Sequence, residues 1–226
     1  MTTAPHAPGP HVLDDEWLID YAAGTAPEPV SLLVASHLAL SPAARKAYAC
    51  VEAVGGAMLD AIEPAALSTQ ALDATLARLD APTGRAVRPA PGAAAQDGDA
   101  VLPEPLRHRL RRGLSDLPWK PLAPGIGHAE IPCADARGYR LRLLRANPGA
   151  ALPMHTHSGA ELALVIDGGY SDEFGHFVRG DVEASDGSVQ HNPVADPDGD
   201  CIVLVVDQGP AKLTGWLGRL LNPFLR

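Results

Sequence analysis

The chain has 226 residues, of which 46% are hydrophobic and 20% are charged, and its formal net charge is −9. A net negative charge argues against direct nucleic-acid binding by the whole chain, and no apolar run reaches the length of a membrane span. The three cysteines are far apart in sequence, so neither a redox pair nor a zinc knuckle is visible, and their small number suits a reducing compartment. Because the N-terminus lacks the apolar core of a signal peptide, we expect a cytoplasmic protein.

Apolar residues at helical spacing predict four helices in the first part of the chain, over 14–23, 29–40, 43–62 and 68–79. Gly24 is expected to end the first helix and Ser41 to cap the third. The Gly55-Gly56 pair inside the third helix predicts close packing or a bend there. The first 80 residues carry ten acidic and three basic side chains, a net charge of −7.

Composition divides the chain into a helical domain, a linker and a domain of short strands. Residues 81–101 are rich in Ala, Pro and Gly and show no apolar periodicity, which predicts a flexible linker. The predicted domains are therefore 1–80 and 102–226. The N-terminal dozen residues, with His6 and His11, are expected to form a frayed and solvated tail.

Short strands dominate the second domain. Alternation of apolar and polar residues over 138–145 predicts a half-buried strand, and the continuous β-branched run over 201–206 predicts a fully buried one. A short basic helix is predicted over 103–114. An amphipathic helix is predicted over 213–221, near the end of the chain.

Two histidines and a glutamate form the strongest functional signal. His155 and His157 would point to the same face of a strand, and Glu161 has the same parity. A buried strand over 162–166 and a glycine turn could return the chain so that His191 faces them. Imidazole and carboxylate are common ligands of zinc, iron, manganese, nickel and copper. The four residues therefore predict a site for one divalent metal ion; the alternative is that they are surface polar residues of an ordinary β-sandwich.

The spacing of these residues resembles the half-motifs of the cupin family. Gly149 is followed by five residues, His155-Thr-His157, three residues, Glu161, six residues and Gly168. A Gly-Asp turn at 180–181 and the later histidine resemble the looser second half-motif. The resemblance implies a double-sheet β-barrel, the jelly roll or double-stranded β-helix, with a metal in its mouth, zinc being the first choice. The predicted fold class is α+β multidomain, with an N-terminal helical bundle followed by a C-terminal cupin β-barrel.

The order of helical domain, linker and cupin resembles the ChrR-type anti-sigma factors. The stretch Leu33-Val-Ala-Ser-His37-Leu-Ala-Leu-Ser41-Pro-Ala-Ala44-Arg45 is similar to their zinc-binding motif, and Val54-Gly-Gly-Ala-Met58 and Ala22-Ala23-Gly24 resemble its flanks. In that family the histidine is followed by two cysteines, and an upstream histidine, here matched by His11, completes the site. Serine and alanine stand in place of both cysteines. Because thiolates supply much of the affinity of structural zinc sites, no N-terminal zinc is expected.

Packing must then replace the stabilisation that a metal would give to the helical domain. His37 is expected to be a core or helix-face histidine rather than a ligand. The residues expected in the replacement core are Leu33, Leu40, Tyr48, Val51 and Met58.

The resemblance implies a regulator of transcription in a stress response. The helical domain would bind an extracytoplasmic-function sigma factor, and its acidic charge suits a basic partner. The cupin would sense an oxidant or a small-molecule ligand at its metal. Since a separate acidic helical domain gives no advantage to an enzyme, regulation is favoured. The alternatives are a metal-dependent cupin dioxygenase, with His176 and Tyr170 as the nearest candidate bases, and a binding protein without either activity. An exposed cupin edge strand would allow a homodimer.

Overall fold

The computed structural model describes residues 11–80 and 100–214. The α-helices within these ranges are α1 (Asp15–Ala22), α2 (Glu28–Leu40), α3 (Pro42–Asp60), α4 (Ala71–Asp80) and α5 (Glu104–Leu110). A 3-10 turn follows at Leu114–Asp116. Each predicted helix of the first 80 residues is present. Helix α5 ends earlier than predicted because Arg111 adopts a left-handed conformation, with φ of 54°.

Local sequence explains how these helices begin and end. Gly24 has φ of 69°, a conformation that favours glycine, directly after α1. The Ser41 hydroxyl accepts a hydrogen bond from the Ala44 backbone N–H at 3.3 Å, so the predicted cap of α3 is confirmed. None of the described helices is long and apolar enough to cross a membrane.

The strands are β1 (Lys120–Ala123), β2 (Ile126–Glu130), β3 (Arg140–Ala146), β4 (His155–Thr156), β5 (Glu161–Asp167), β6 (Gly169–Ser171), β7 (His176–Val178), β8 (Val182–Ser185), β9 (Val194–Ala195), β10 (Cys201–Asp207) and β11 (Lys212–Leu213). They form a six-stranded antiparallel sheet in the order β1-β2-β3-β10-β5-β8, a three-stranded sheet β7-β6-β9 and the pair β11-β4. The start of the helix predicted over 213–221 is therefore a strand, and its remainder from residue 215 lies outside the described residues, as does linker segment 81–99.

Both faces of the central strands are covered, which explains their continuous apolar sequences. Alternate residues of β10, namely Ile202, Leu204 and Val206, pack in one cluster with the helices. The residues between them, Cys201, Val203 and Val205, pack in a second cluster with the three-stranded sheet. Helix α2 contacts β10 directly and has Val30, Leu33 and Val34 fully buried. One core is thus shared by α2 and the outer face of the large sheet.

The expected core of the helical region is correct near α2 and wrong farther along α3. Leu33 is fully buried, and Leu40, Tyr48 and Val51 pack partly buried against the same cluster. Met58 is 68% exposed, so its prediction as a core residue is wrong. The only buried residue of α3 is Ala44, and every residue of the helix from Glu52 onward is exposed.

Two smaller expectations differ from the structure. Gly55 and Gly56 have open space beside their Cα atoms among the described residues, so the close packing predicted there is wrong, and the alternative of a bend stays a prediction. His11 is not a solvated tail residue. Its ring lies 4.5 Å from that of Phe177, and its carbonyl accepts a hydrogen bond from Val182 at 3.0 Å.

Candidate metal centre

Two short segments bring the predicted ligands together. His155 in β4 and His191 exchange backbone hydrogen bonds of 3.0 and 3.1 Å, which places their side chains side by side. The strand ends after Thr156, and the chain bends before Glu161 opens β5. At this bend the Gly159 backbone lies against the carbonyl of Gln208, where any Cβ would overlap it. The shared parity of the ligands is therefore not the cause of their convergence, because β4 and β5 are separate strands.

The four predicted residues form one compact cluster. One ligand atom of each of His155, His157, Glu161 and His191 lies within 4.8 Å of the others. The Nε2 atoms of His157 and His191 are 3.1 Å apart, and His157 Nδ1 lies 3.3 Å from Glu161 Oε2. All three histidines are at most 6% exposed. The arrangement could hold one metal ion.

Second partners orient two of the rings. The Nδ1 atom of His155 lies 2.9 Å from the Pro153 carbonyl, which leaves Nε2 as the available ligand atom. The Nδ1 atom of His191 lies 2.9 Å from both Asp172 Oδ2 and Glu183 Oε1, so Nε2 is again the available atom. Three imidazoles and one carboxylate make a donor set that suits zinc, iron, manganese, nickel or copper.

The electrostatics of the cluster favour a positive charge at its centre. Burial, together with the neighbouring histidines, lowers the pKa of His155 and keeps this ring neutral. Burial opposes ionisation of Glu161, but its hydrogen bond to His157 and the nearby histidine charges outweigh this, so its pKa is lowered. Burial also disfavours charge on His191, yet Glu183 and Asp172 raise its pKa to about 9. A neutral imidazole and an ionised carboxylate are the forms that bind metals, so His155 and Glu161 are already in these forms and His191 must release its Nε2 proton to bind an ion.

Sequence reasoning missed the two carboxylates behind His191. The Asp172 side chain is fully buried and that of Glu183 is 7% exposed. Tyr170 donates a hydrogen bond to Glu183 Oε2 at 2.7 Å, and burial beside this carboxylate raises the Tyr170 pKa well above its usual range. Tyr170 is thus a hydrogen-bond donor rather than a base.

The other candidate base does not line the site. His176 is about half exposed on β7 and pairs with Asp196 at 2.9 Å. Neither of the residues considered as a dioxygenase base is therefore placed to act as one.

A cavity of about 70 Å³ adjoins the cluster. Its polar side is formed by His155, Glu161, Tyr170, Glu183 and His191. The remaining wall is lined by Ile126, Leu144, Ala146, Ala150, Leu152, Ala163, Pro193, Ala195, Cys201, Val203 and Val205. The cluster thus faces a partly open and largely apolar cavity.

Comparison with known proteins identifies the family. Residues 108–211 match the family described as the ChrR Cupin-like domain. Over 216 residues the chain is 38% identical to the anti-sigma-E factor ChrR of Cereibacter sphaeroides, an alignment that covers 96% of this chain and 98% of that protein. The chain belongs to the ChrR family of anti-sigma factors.

A solved structure supports the same relationship for this ChrR-family chain. The crystal structure of Rhodobacter sphaeroides SigE in complex with the anti-sigma ChrR aligns with a TM-score of 0.70 and 36% identity. The alignment covers 87% of this chain and 98% of that one. The resemblance inferred from the sequence is confirmed, and the fold is cupin-like, combining helices with antiparallel sheets.

In this ChrR-family chain the degenerate N-terminal motif serves capping and packing. His37 is fully buried, and its Nδ1 atom lies 3.0 Å from the Gly180 carbonyl. Burial lowers the pKa of His37 to about 4, so the ring is neutral at ordinary pH. Ser41 caps α3, and the Ala44 methyl group is fully buried. His37 is therefore a core histidine, as expected.

Proposed function

We propose that this ChrR-family chain is an anti-sigma regulator that binds an extracytoplasmic-function sigma factor through α3 and α4. The observation that carries the proposal is a run of large apolar side chains that are 49% to 84% exposed. They lie on α3, on α4 and on the segment between the two helices, and we name them together the α3–α4 apolar surface: Val54, Met58, Leu59, Ile62, Leu67, Leu72, Leu76 and Leu79. Extended apolar patches of this kind mark protein interaction sites.

Energetics supports an interface here. Burying one Leu or Met side chain contributes about 1.5–3 kcal/mol, so leaving eight such residues in water is a substantial cost unless a partner covers them. Acidic side chains border the surface at Glu52, Asp60, Glu63 and Asp73. They complement a basic partner and would steer its approach. The complex of the related ChrR with SigE supports a sigma factor as that partner.

The test is binding of the full chain to the sigma factor encoded beside its gene. A double change of Met58→Asp and Leu59→Asp places charges in the centre of the surface and should weaken binding about 100-fold or more. The matched control is Leu122→Asp on β1, because Leu122 is also an exposed apolar residue, at 44%. Calorimetric titration should show unchanged affinity for the control. Equal affinity of the double variant and the wild type would contradict the proposal.

We further propose that His155, His157, Glu161 and His191 bind one divalent transition metal ion, with zinc as first choice. Their burial, mutual distances and ionisation preferences support this assignment. Such an ion supplies a Lewis-acid centre beside the cavity. The rest of the cavity wall is apolar, so a small-molecule ligand at the ion would need to present a largely apolar surface to that wall.

The proposal also assigns a role to each part of the chain. A helical bundle in 1–80 would hold the sigma factor, a linker in 81–101 would connect it, and a closed cupin barrel in 102–226 would hold the metal. A sigma factor works with RNA polymerase, so the regulator would act in the cytoplasm.

A further inference from the structure

One short segment touches both the metal cluster and the helices. We name it the 172–183 hairpin because it leaves the cluster at Asp172 and returns to it at Glu183. It contains β7 and the start of β8, which belong to different sheets and are not paired with each other. Both of its ends contact the same atom, since Asp172 Oδ2 and Glu183 Oε1 each lie 2.9 Å from His191 Nδ1. A shift of the His191 ring therefore acts on both ends of the hairpin at once.

The middle of the hairpin contacts the N-terminal region. The Gly180 carbonyl lies 3.0 Å from His37 Nδ1 in α2. Asp181 Oδ1 accepts a hydrogen bond from the His11 backbone N–H at 3.3 Å. Gly180 has φ of 92° and lies so close to α2 that a Cβ there would be 3.5 Å from the Cβ of Leu40. These contacts join the hairpin to the helix that carries the degenerate motif.

Internal hydrogen bonds make the hairpin a single unit. Asp172 Oδ1 accepts from the backbone N–H groups of Phe174 and Gly175, at 2.8 and 3.2 Å. Asp181 Oδ2 accepts from Val178 N–H at 3.0 Å. Side-chain acceptors that bind turn N–H groups in this way fix the shape of a turn. These bonds, with those that tie Gly180 and Asp181 to Val165 of β5, hold the two turns of the hairpin in fixed shapes.

We infer that the 172–183 hairpin couples occupation of the metal centre to the way α2 is held, with Asp172 and Glu183 as positioning residues for His191. The inference rests on the proposed metal site. A metal bound at Nε2 of His191 fixes the ring and the proton on Nδ1, and that N–H then holds both carboxylates. The hairpin in turn holds the His37 ring and the backbone beside Leu40. Coupling of this kind is reciprocal. If metal binding stabilises the position in which α2 is held, a change at His37 that releases α2 must lower the affinity for the metal.

The experiment uses the full chain and zinc as the probe. Amide hydrogen exchange of 28–40 is measured with and without zinc, and zinc affinity is measured by competition with a chelator. Zinc should slow exchange in α2 of the wild type by about fivefold or more. Glu183→Gln and His37→Gln should each still bind zinc but lose most of this effect, because the first replaces a charged acceptor of the His191 N–H with a neutral one and the second moves the donor away from the Gly180 carbonyl.

Matched variants separate coupling from general destabilisation. His37→Asn keeps a donor near the position of Nδ1 and should restore the response that His37→Gln loses. His176→Gln lies in the hairpin but faces solvent, and it should leave both measurements unchanged. Zinc binding with no change in α2, or a response that survives both His37→Gln and Glu183→Gln, would overturn the coupling while leaving the metal site intact. Absence of zinc binding to the wild type would overturn both the coupling and the metal site. The proposed binding of a sigma factor is tested by a different experiment and would not be affected.

Discussion

The Nε2 atoms of His157 and His191 lie 3.1 Å apart, and both rings are almost completely buried. Two imidazole nitrogens approach this closely when a proton, held in an N–H···N hydrogen bond, or a metal ion lies between them. The Glu161 carboxylate next to His157 and the Glu183 carboxylate behind His191 both add to the attraction for positive charge. This pair of nitrogens is the physical centre of the proposed metal site.

The first prediction concerns metal content. The purified wild type should contain about one transition metal ion per chain, and the double change of His155→Ala and His157→Ala should reduce this to nearly none, because it removes two of four ligands. Elemental analysis measures the result. His176→Ala is the control, since this exposed histidine is paired with Asp196 and lies outside the cluster.

The residual metal in that double variant tests a second point. We expect no N-terminal zinc, as Ser41 caps α3 and Ala44 offers no ligand atom. A full equivalent of zinc remaining in the double variant would mean that His37 and other N-terminal residues still bind it, and the expectation would be wrong.

The second prediction concerns the cap of α3. Ser41→Ala removes the acceptor for the Ala44 N–H, which is then left without this partner at a buried helix start. The free energy of unfolding should fall by about 1 kcal/mol. Urea denaturation measures it, and Ser41→Asp, which retains an acceptor, should lose less. Equal losses in both variants would show that packing and not capping sets the preference at this position.

The third prediction concerns acid sensitivity. Burial lowers the pKa of His37 from 6.5 to about 4, so the unfolded chain binds a proton at this residue more readily than the folded one. Its contribution to stability is complete above pH 6.5 and is lost as the pH falls from 6.5 to about 4. The full loss is about 3 kcal/mol. Urea midpoints of the wild type and His37→Asn, compared from pH 7.5 down to about 4.5, should converge as the pH falls. Parallel curves would contradict this prediction.

The fourth prediction concerns the division of the chain. Limited proteolysis should cut first within 81–101 and leave a resistant fragment that begins near Leu102. The two fragments should nevertheless elute together under native conditions, because Val30, Leu33 and Val34 share a core with Leu204 of the sheet. Separation of the fragments in native buffer would mean that this core does not hold without the covalent connection.

The histidine and glutamate cluster could be predicted because most of its information is local. His155, His157 and Glu161 lie within seven residues, and turn glycines mark the neighbouring strands. The carboxylates behind His191 could not be predicted in the same way. Asp172 lies in a turn and Glu183 in β8, and only the pairing of distant strands brings them to one nitrogen.

The helical region shows a different limit. Its periodicity predicted each helix, but an apolar stripe looks the same whether it faces the core or a partner. Leu33 meets the sheet and is fully buried, whereas Met58 and Leu72 are both 68% exposed. The position of His11 depends on a ring in β7, Phe177, which no pattern near the N-terminus indicates.

The packing of helix α2 on the large sheet limits how domains of ChrR-family proteins can be exchanged. It covers Leu204 and its neighbours on the outer face of the large sheet, and it also packs against α3, the helix that precedes α4. A chimera that grafts the first 80 residues onto a foreign sensor domain would separate α2 from the large sheet. The apolar face of the sheet and the apolar side of α2 would then both be exposed to water. Successful grafts will have to carry the outer residues of β5 and β10 along with the helices, so the unit of exchange is larger than the helical segment itself.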